Sequence, residues 1–188
     1  MALLLGDVVR RQARYRPERT AYVIGPHRVT YRRLNAMANR LAHALRALGV
    51  RRGDRVATLS QNRLEYPAIY FAVAKLGAIH VPVNFRYRAG EVRYALAQSE
   101  STVLLHAEEL GGIAEEARDG LPALRHVISL DRGAPDLMAR ASEAEPEPDP
   151  ELDERDPHVM LYTSGTTGDP KGALLSHRTY LLQAAQTQ

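Results

Sequence analysis

The 188 residues contain no cysteine and no tryptophan. The lack of cysteine excludes a disulfide framework, a thiolate zinc site and a cysteine nucleophile, and it fits a reducing compartment. Lysine is nearly absent too. Of the 25 basic residues only Lys75 and Lys171 are lysines, and the rest are arginines. In so lysine-poor a chain, Lys171 is unlike filler. No apolar run approaches the roughly 20 residues of a membrane span. The longest, Ala68 to Ala74, stops at Lys75. Met1 to Gly6 is a short apolar stretch before Asp7 without a charged leader, so no signal peptide is expected and a cytoplasmic location is.

What remains is ordinary for a globular chain: 45% hydrophobic and 25% charged residues, with a formal net charge of +3. Apolar content of this order offsets chain entropy, so disorder throughout is excluded. The basic residues are scattered among acids rather than clustered, which argues against a nucleic-acid surface. The length predicts one domain, with at most an appendage.

Apolar residues at Leu34, Met37, Ala38, Leu41, Leu45 and Leu48 step by three and four, which predicts a helix. Thr30 suits its N-cap and Gly49 the position after its end. Arg55 to Ser60 reads as a strand. Asn62 to Glu65 resembles a capping box opening a helix that carries Ile69, Ala72, Val73 and Leu76 and ends at Gly77. Strand-like and helix-like runs then alternate: strand 78–83, helix 90–99, strand 102–106, helix 112–118, strand 126–130. Such alternation predicts an α/β fold, a mostly parallel sheet flanked by helices.

Three segments are expected: an alternating region over 1–130, an acidic, proline-rich connection over 131–157, and a strand, loop and helix start over 158–188. The connection reads as a solvated surface segment, with an acidic interaction segment as the rival. His158 to Thr163 reads as a buried strand, Ser164 to Gly172 as a loop, and Ala173 onward as helix.

That loop carries the chemistry. Tyr162-Thr-Ser-Gly-Thr-Thr-Gly-Asp-Pro-Lys-Gly172 places hydroxyls at Thr163, Ser164, Thr166 and Thr167. Gly165, Gly168 and Gly172 let backbone approach a ligand closely. Lys171 adds a compact positive charge. Between a strand and a helix start, such a turn forms a concave anion site whose natural guest is a polyphosphate. It is not a Walker loop: the first two glycines are three apart, Pro170 precedes the lysine, and Gly172 stands where Ser or Thr would hold magnesium.

The stretch Tyr162 to Ala173, continuing into Leu175-Ser-His-Arg178, resembles the AMP-binding signature of the adenylate-forming superfamily, which includes acyl-CoA synthetases, peptide-synthetase adenylation domains and beetle luciferases. The likeness spans nearly the whole chain. Val29 to Leu34 with Asn39 to Ala42 resembles the first core motif, departing at Arg33 where glutamate is usual. Gly53 to Val56 resembles the entry to the next strand. Ala74 to Asn84 resembles the second core motif. Its Pro82-Val-Asn84 ending, with Arg86 and Glu91, is closer to acyl-CoA synthetases than to peptide-synthetase domains.

The resemblance implies ATP-dependent activation of a carboxylic acid, of the fatty class, through an acyl-adenylate, then transfer to coenzyme A, with ATP, Mg2+ and CoA as cofactors or co-substrates. It implies that Thr163, Ser164, Gly165, Thr166, Thr167, Gly168 and Lys171 hold the β- and γ-phosphates. The lysine that assists adenylation belongs to a C-terminal domain outside these residues, so Lys171 is expected to bind rather than catalyse. No catalytic residue and no metal ligand is expected within the 188 residues, and no turnover by them alone. Other readings stand beside this one: a chain that binds Mg-ATP or pyrophosphate without catalysis, a homo-oligomer formed through uncovered sheet or helix faces, or a peptide-synthetase adenylation domain. His177 either positions nucleotide or acid, or packs at a helix start, and the second is expected. His80, His106, His126 and His158 are expected in the core or at its edge, and Tyr66, Tyr70, Tyr87 and Tyr94 in packing roles.

Overall fold

Val56, Ala57 and Leu59 alternate across a strand, and that alternation organises the molecule. The computed structural model describes residues 4–163 and 170–186. Helix α1 (Leu5–Tyr15) is followed by a hairpin of β1 (Thr20–Ile24) and β2 (His27–Thr30), then α2 (Tyr31–Ala47). Strand β3 (Arg55–Leu59), α3 (Tyr66–Lys75), β4 (Ile79–Val83), α4 (Ala89–Ser99) and β5 (Val103–His106) continue the chain. Helix α5 (Gly111–Ala117), β6 (His126–Ser129), α6 (Gly133–Ala139), β7 (Pro157–Thr163), β8 (Lys171–Ser176) and α7 (His177–Gln186) complete it.

The main sheet has the order β6-β5-β3-β4-β7-β8. Every pairing is parallel except β7 with β8. Period-two side chains serve both faces. Val56, Val103 and Leu105 pack with Leu41 and Leu45 of α2, Ile69 and Val73 of α3, and Ala134 of α6. Ala57, Leu59, Val81, Val83 and Leu104 pack with Val92 and Leu96 of α4 and Ala114 and Ala117 of α5. A smaller cluster joins Val9, Val29, Leu34 and Ala68 beneath the β1–β2 hairpin. The expected mostly parallel sheet with flanking helices is the observed architecture.

Local signals hold where they are strong. Thr30 Oγ1 accepts from the Arg33 amide at 3.3 Å, and Gly49 takes φ 84° beyond the end of α2. Two readings need correction. Asn62 to Glu65 forms no capping box: α3 starts at Tyr66 behind Glu65, whose carboxylate accepts instead from Arg63 Nε at 2.7 Å. One half of such a box opens α4, where the Glu91 carboxylate accepts from the Arg88 amide at 2.9 Å. The second correction concerns Ala173 onward. Lys171–Ser176 is a strand antiparallel to β7, and helix begins only at His177. Lys171 and Gly172 therefore belong to the strand, not the loop.

The acidic connection is a surface segment, but it is tied down. Asn39 Nδ2 donates to the Glu143 carbonyl at 2.8 Å, and Arg46 donates to the Glu147 carbonyl at 2.7 Å. Arg52 grips both Asp156 oxygens, at 3.0 and 3.2 Å. Glu145 meets the buried Lys75 ammonium, which also donates to Asn35 Oδ1 at 3.0 Å. Burial lowers the Lys75 pKa, and Glu145 opposes that shift.

Candidate functional site

Strand β7 leaves the carboxyl end of the parallel sheet, the edge where α/β folds place their ligands. It returns at once as β8, with Thr163 facing Lys171 across the last register pair. Both residues are exposed. Paired residues on adjacent strands bring Cα atoms to about 5 Å. The hairpin thus sets a hydroxyl beside an ammonium at the two ends of the connection 164–169. Ser164, Gly165, Thr166, Thr167 and Gly168 lie outside the described residues.

The hairpin rests on α4. Tyr162 Oη donates to the Ala95 carbonyl at 3.0 Å and also reaches Gln98 Oε1. Tyr94 Oη donates to the Pro170 carbonyl at 3.1 Å, holding the foot of the loop. Gly172 permits this approach, since a Cβ there would lie 2.9 Å from Met160 Sδ and 3.2 Å from Gln98 Oε1. Tyr94 and Gln98, four apart, share one helix face. That spacing is legible in the sequence, but the hairpin it receives is not.

The other end of the hairpin is a buried aromatic and imidazole cluster. The His158 and His177 rings stack with centroids 5.0 Å apart at 24°. Tyr70 meets His158 edge-on at 4.5 Å and His80 at 6.1 Å. His177 Nδ1 accepts from the Leu5 amide at 3.3 Å. Burial pushes His80 down to about 4 and His158 down to about 2, the latter helped by its two histidine neighbours. Burial also lowers His177, against the pull of Asp156 and Asp7. Tyr70 is raised by burial. All three imidazoles are therefore neutral near neutral pH.

His177 is thus a buried residue at a helix start, at the opposite end of the β7–β8 ladder from the Thr163–Lys171 pair. His80 and His158 are core residues, His106 is buried at the end of β5, and His126 is partly buried on β6. Tyr66 and Tyr70 pack in the cluster as expected, whereas Tyr94 also holds the loop. Among the described residues no group of three or more His, Asp or Glu could hold a metal ion. No helix among them is long and apolar enough to cross a membrane.

Comparisons with known proteins show the family. A long-chain-fatty-acid–CoA ligase of Mycobacterium tuberculosis, FadD13, is 37% identical over 180 residues, covering 93% of this chain and 35% of that protein. A long-chain-fatty-acid–CoA ligase of Thermus thermophilus is 41% identical over 160 residues, 84% of this chain and 30% of its own length. The crystal structure of the N-terminal domain of FACL13 from M. tuberculosis superposes with a TM-score of 0.86 at 36% identity, over 94% of this chain and 45% of that one. The anthranilate CoA ligase AuaEII, solved with anthranoyl-AMP, superposes with a TM-score of 0.91 at 29% identity, over 98% of this chain and 36% of its own. The chain spans about a third of the length of the curated relatives it matches. The family model for AMP-binding enzymes matches residues 9–188, from α1 through the hairpin to the last residue, and the chain belongs to that family.

Proposed function

We propose that these residues are the nucleotide-gripping part of an acid–CoA ligase, and that the β7–β8 hairpin holds the β- and γ-phosphates of ATP. Thr163, Ser164, Gly165, Thr166, Thr167, Gly168 and Lys171 form the grip. The observation that carries the reading is the register pair Thr163–Lys171 at the carboxyl end of the sheet. It fixes a hydroxyl and a cation at the mouth of a connection whose sequence supplies three more hydroxyls and two glycines. Backbone amides and hydroxyls suit phosphate oxygens, and an ammonium neutralises them.

In the whole ligase, the substrate carboxylate attacks the α-phosphorus and pyrophosphate leaves, giving an acyl-adenylate. The CoA thiol then attacks the acyl carbon and AMP leaves. Charge develops on the departing pyrophosphate, so fixed donors there lower the barrier. A long-chain fatty acid is the first candidate substrate, because ligases of that class stand among the relatives. Magnesium would arrive bound to the phosphates of the nucleotide. We place the reaction in the cytoplasm. The 188 residues alone are expected to give no acid-dependent release of pyrophosphate.

The test is calorimetric titration of the 188-residue chain with Mg-ATP. Lys171→Ala is expected to weaken binding by about tenfold, the worth of one charge-assisted contact of about 1.4 kcal/mol. Lys171 is exposed, so the fold is not at stake. Equal affinity in both proteins, or none in either, sinks the reading. A second reading, self-association, has one observation in its favour: Leu174 on the edge strand and Leu182 on α7 are each 54% exposed. An edge strand with apolar neighbours invites pairing. Sedimentation as a monomer at high concentration removes it.

A further inference from the structure

The hairpin has two ends, and the proposed phosphate site lies at the Thr163–Lys171 end. At the other end, the first leg begins with Pro157 paired to Ser176, and His158 and His177 follow that pair. Their stacked rings bridge the start of β7 and the residue after β8. The stack is anchored from three further directions. The Leu5 amide of α1 donates to His177 Nδ1. Tyr70 of α3 packs its ring edge-on against His158. The His177 amide donates to the Asp156 carbonyl at 3.2 Å, and the Arg178 amide to the Glu154 carbonyl at 2.7 Å.

This arrangement depends on protonation. An imidazole accepts at Nδ1 only when that nitrogen carries no proton, so the Leu5 contact requires neutral His177 protonated at Nε2. His177 Nε2 is buried without a hydrogen-bond partner among the described residues, and the one polar group that favours a charge on buried His158 is the Ala78 backbone. An imidazolium here would lose the Leu5 contact and press a charge against a second buried ring. The groups facing it decide the outcome. His158 from β7, Tyr70 from α3 and Tyr180 from α7 offer no neutralising charge. Asp7 of α1 and Asp156 attract it, but Asp156 is already held by Arg52. Glu154 is close to Arg178 at 3.4 Å. His80 adds to the cost of charging His158.

We propose that His177 is a positioning residue for phosphate binding: with His158 it forms a proton-sensitive clasp that fixes the base of the β7–β8 hairpin, and its protonation loosens the hairpin before the sheet unfolds. The inference rests on the phosphate-grip reading for its consequence, but the clasp itself is tested without ligand. Burial, which lowers the His177 pKa, places the loosening on the acid side of the usual imidazole range.

The experiment is an amide NMR titration of the 188-residue chain from about pH 7.5 to about pH 5. The Leu5, Lys171 and Gly172 amides are expected to move in one common step while the β3 and β5 amides stay fixed. His177→Asn keeps an acceptor near the Nδ1 position and cannot titrate, so the step is expected to vanish. Immobile Lys171 and Gly172 amides in the parent, or a step that persists in a folded His177→Asn, overturns the clasp. Should that variant fail to fold, the parent titration decides alone. Mg-ATP affinity is then measured across the same range. The parent-to-variant affinity ratio is expected to fall by about fivefold or more on acidification, a modest coupling between sites. ATP's own protonation is common to both proteins and cancels in the ratio. A clasp that titrates while neither protein binds Mg-ATP at any pH leaves the clasp standing and refutes the phosphate-grip reading instead.

Discussion

Single residues carry two separable kinds of importance here. Lys171 and Thr163 are exposed and cost the fold nothing, so their replacement reports on ligand. Gly77 is the opposite case. It ends α3 at φ +65°, and a Cβ there would lie 2.8 Å from Leu152 Cδ1 and 3.2 Å from Arg52 Cγ. Its amide and carbonyl are both engaged, with Gly53 N–H donating to the Gly77 carbonyl at 2.9 Å. Gly77→Ala therefore meets a left-handed backbone and a steric conflict together. It is expected to lower unfolding free energy by about 1–3 kcal/mol in urea titrations.

Elements differ in how much of their identity is local. The start of α2 is local: Thr30 caps it through the Arg33 amide, and the helix lacks an acid in its first turn to share that task. Thr30→Ala is expected to cost about 1 kcal/mol by thermal or urea unfolding, with no effect on ligand. Such caps, the three-four periodicity of Leu34 to Leu45 and the alternating strands are legible from sequence, because backbone geometry alone demands them. Strand β8 is not. Ala173-Leu-Leu175 is a short apolar run that periodicity cannot assign. Its pairing with β7 decides it, and that is a tertiary event. The phosphate-loop candidate is a sequence reading alone, carried by hydroxyls, glycines and a lysine that are contiguous. The clasp was not legible, since His158 and His177 are far apart until the hairpin closes. The acidic connection lies at the surface as its charge suggests, but that its backbone carbonyls serve Asn39, His43 and Arg46 is not legible from sequence.

At the scale of the molecule, the buried histidines set the acid stability of the whole fold. Free histidine titrates near 6.5, whereas burial holds His80 at about 4 and His158 at about 2. The sign follows from proton binding. Between those values the unfolded chain takes up protons that the folded chain refuses, so stability is full above about pH 6.5 and falls as the pH drops below it. For His80 alone, the interval from 6.5 to about 4 corresponds to about 3 kcal/mol. Asp131 acts in a lower window. The bidentate Arg63 contact holds its carboxyl at about 2, so its contribution is lost only as the pH falls below 3.8. The His158 window runs through that of Asp131, but above about pH 4 Asp131 is ionised in both states, so a comparison that stops there reads the histidines. Urea unfolding at about pH 7.5 and about pH 4.5 is expected to differ by about 3 kcal/mol or more, a sizeable part of the roughly 5–15 kcal/mol stability margin of a domain. Replacing His158 by Phe keeps a ring against Tyr70 and removes one titrating group, so the difference should shrink by about 1–3 kcal/mol. Equal stability at the two pH values would show that these imidazoles can be charged in place. A proton on His177, which shares its stack with His158, would then carry no penalty and could not loosen the clasp.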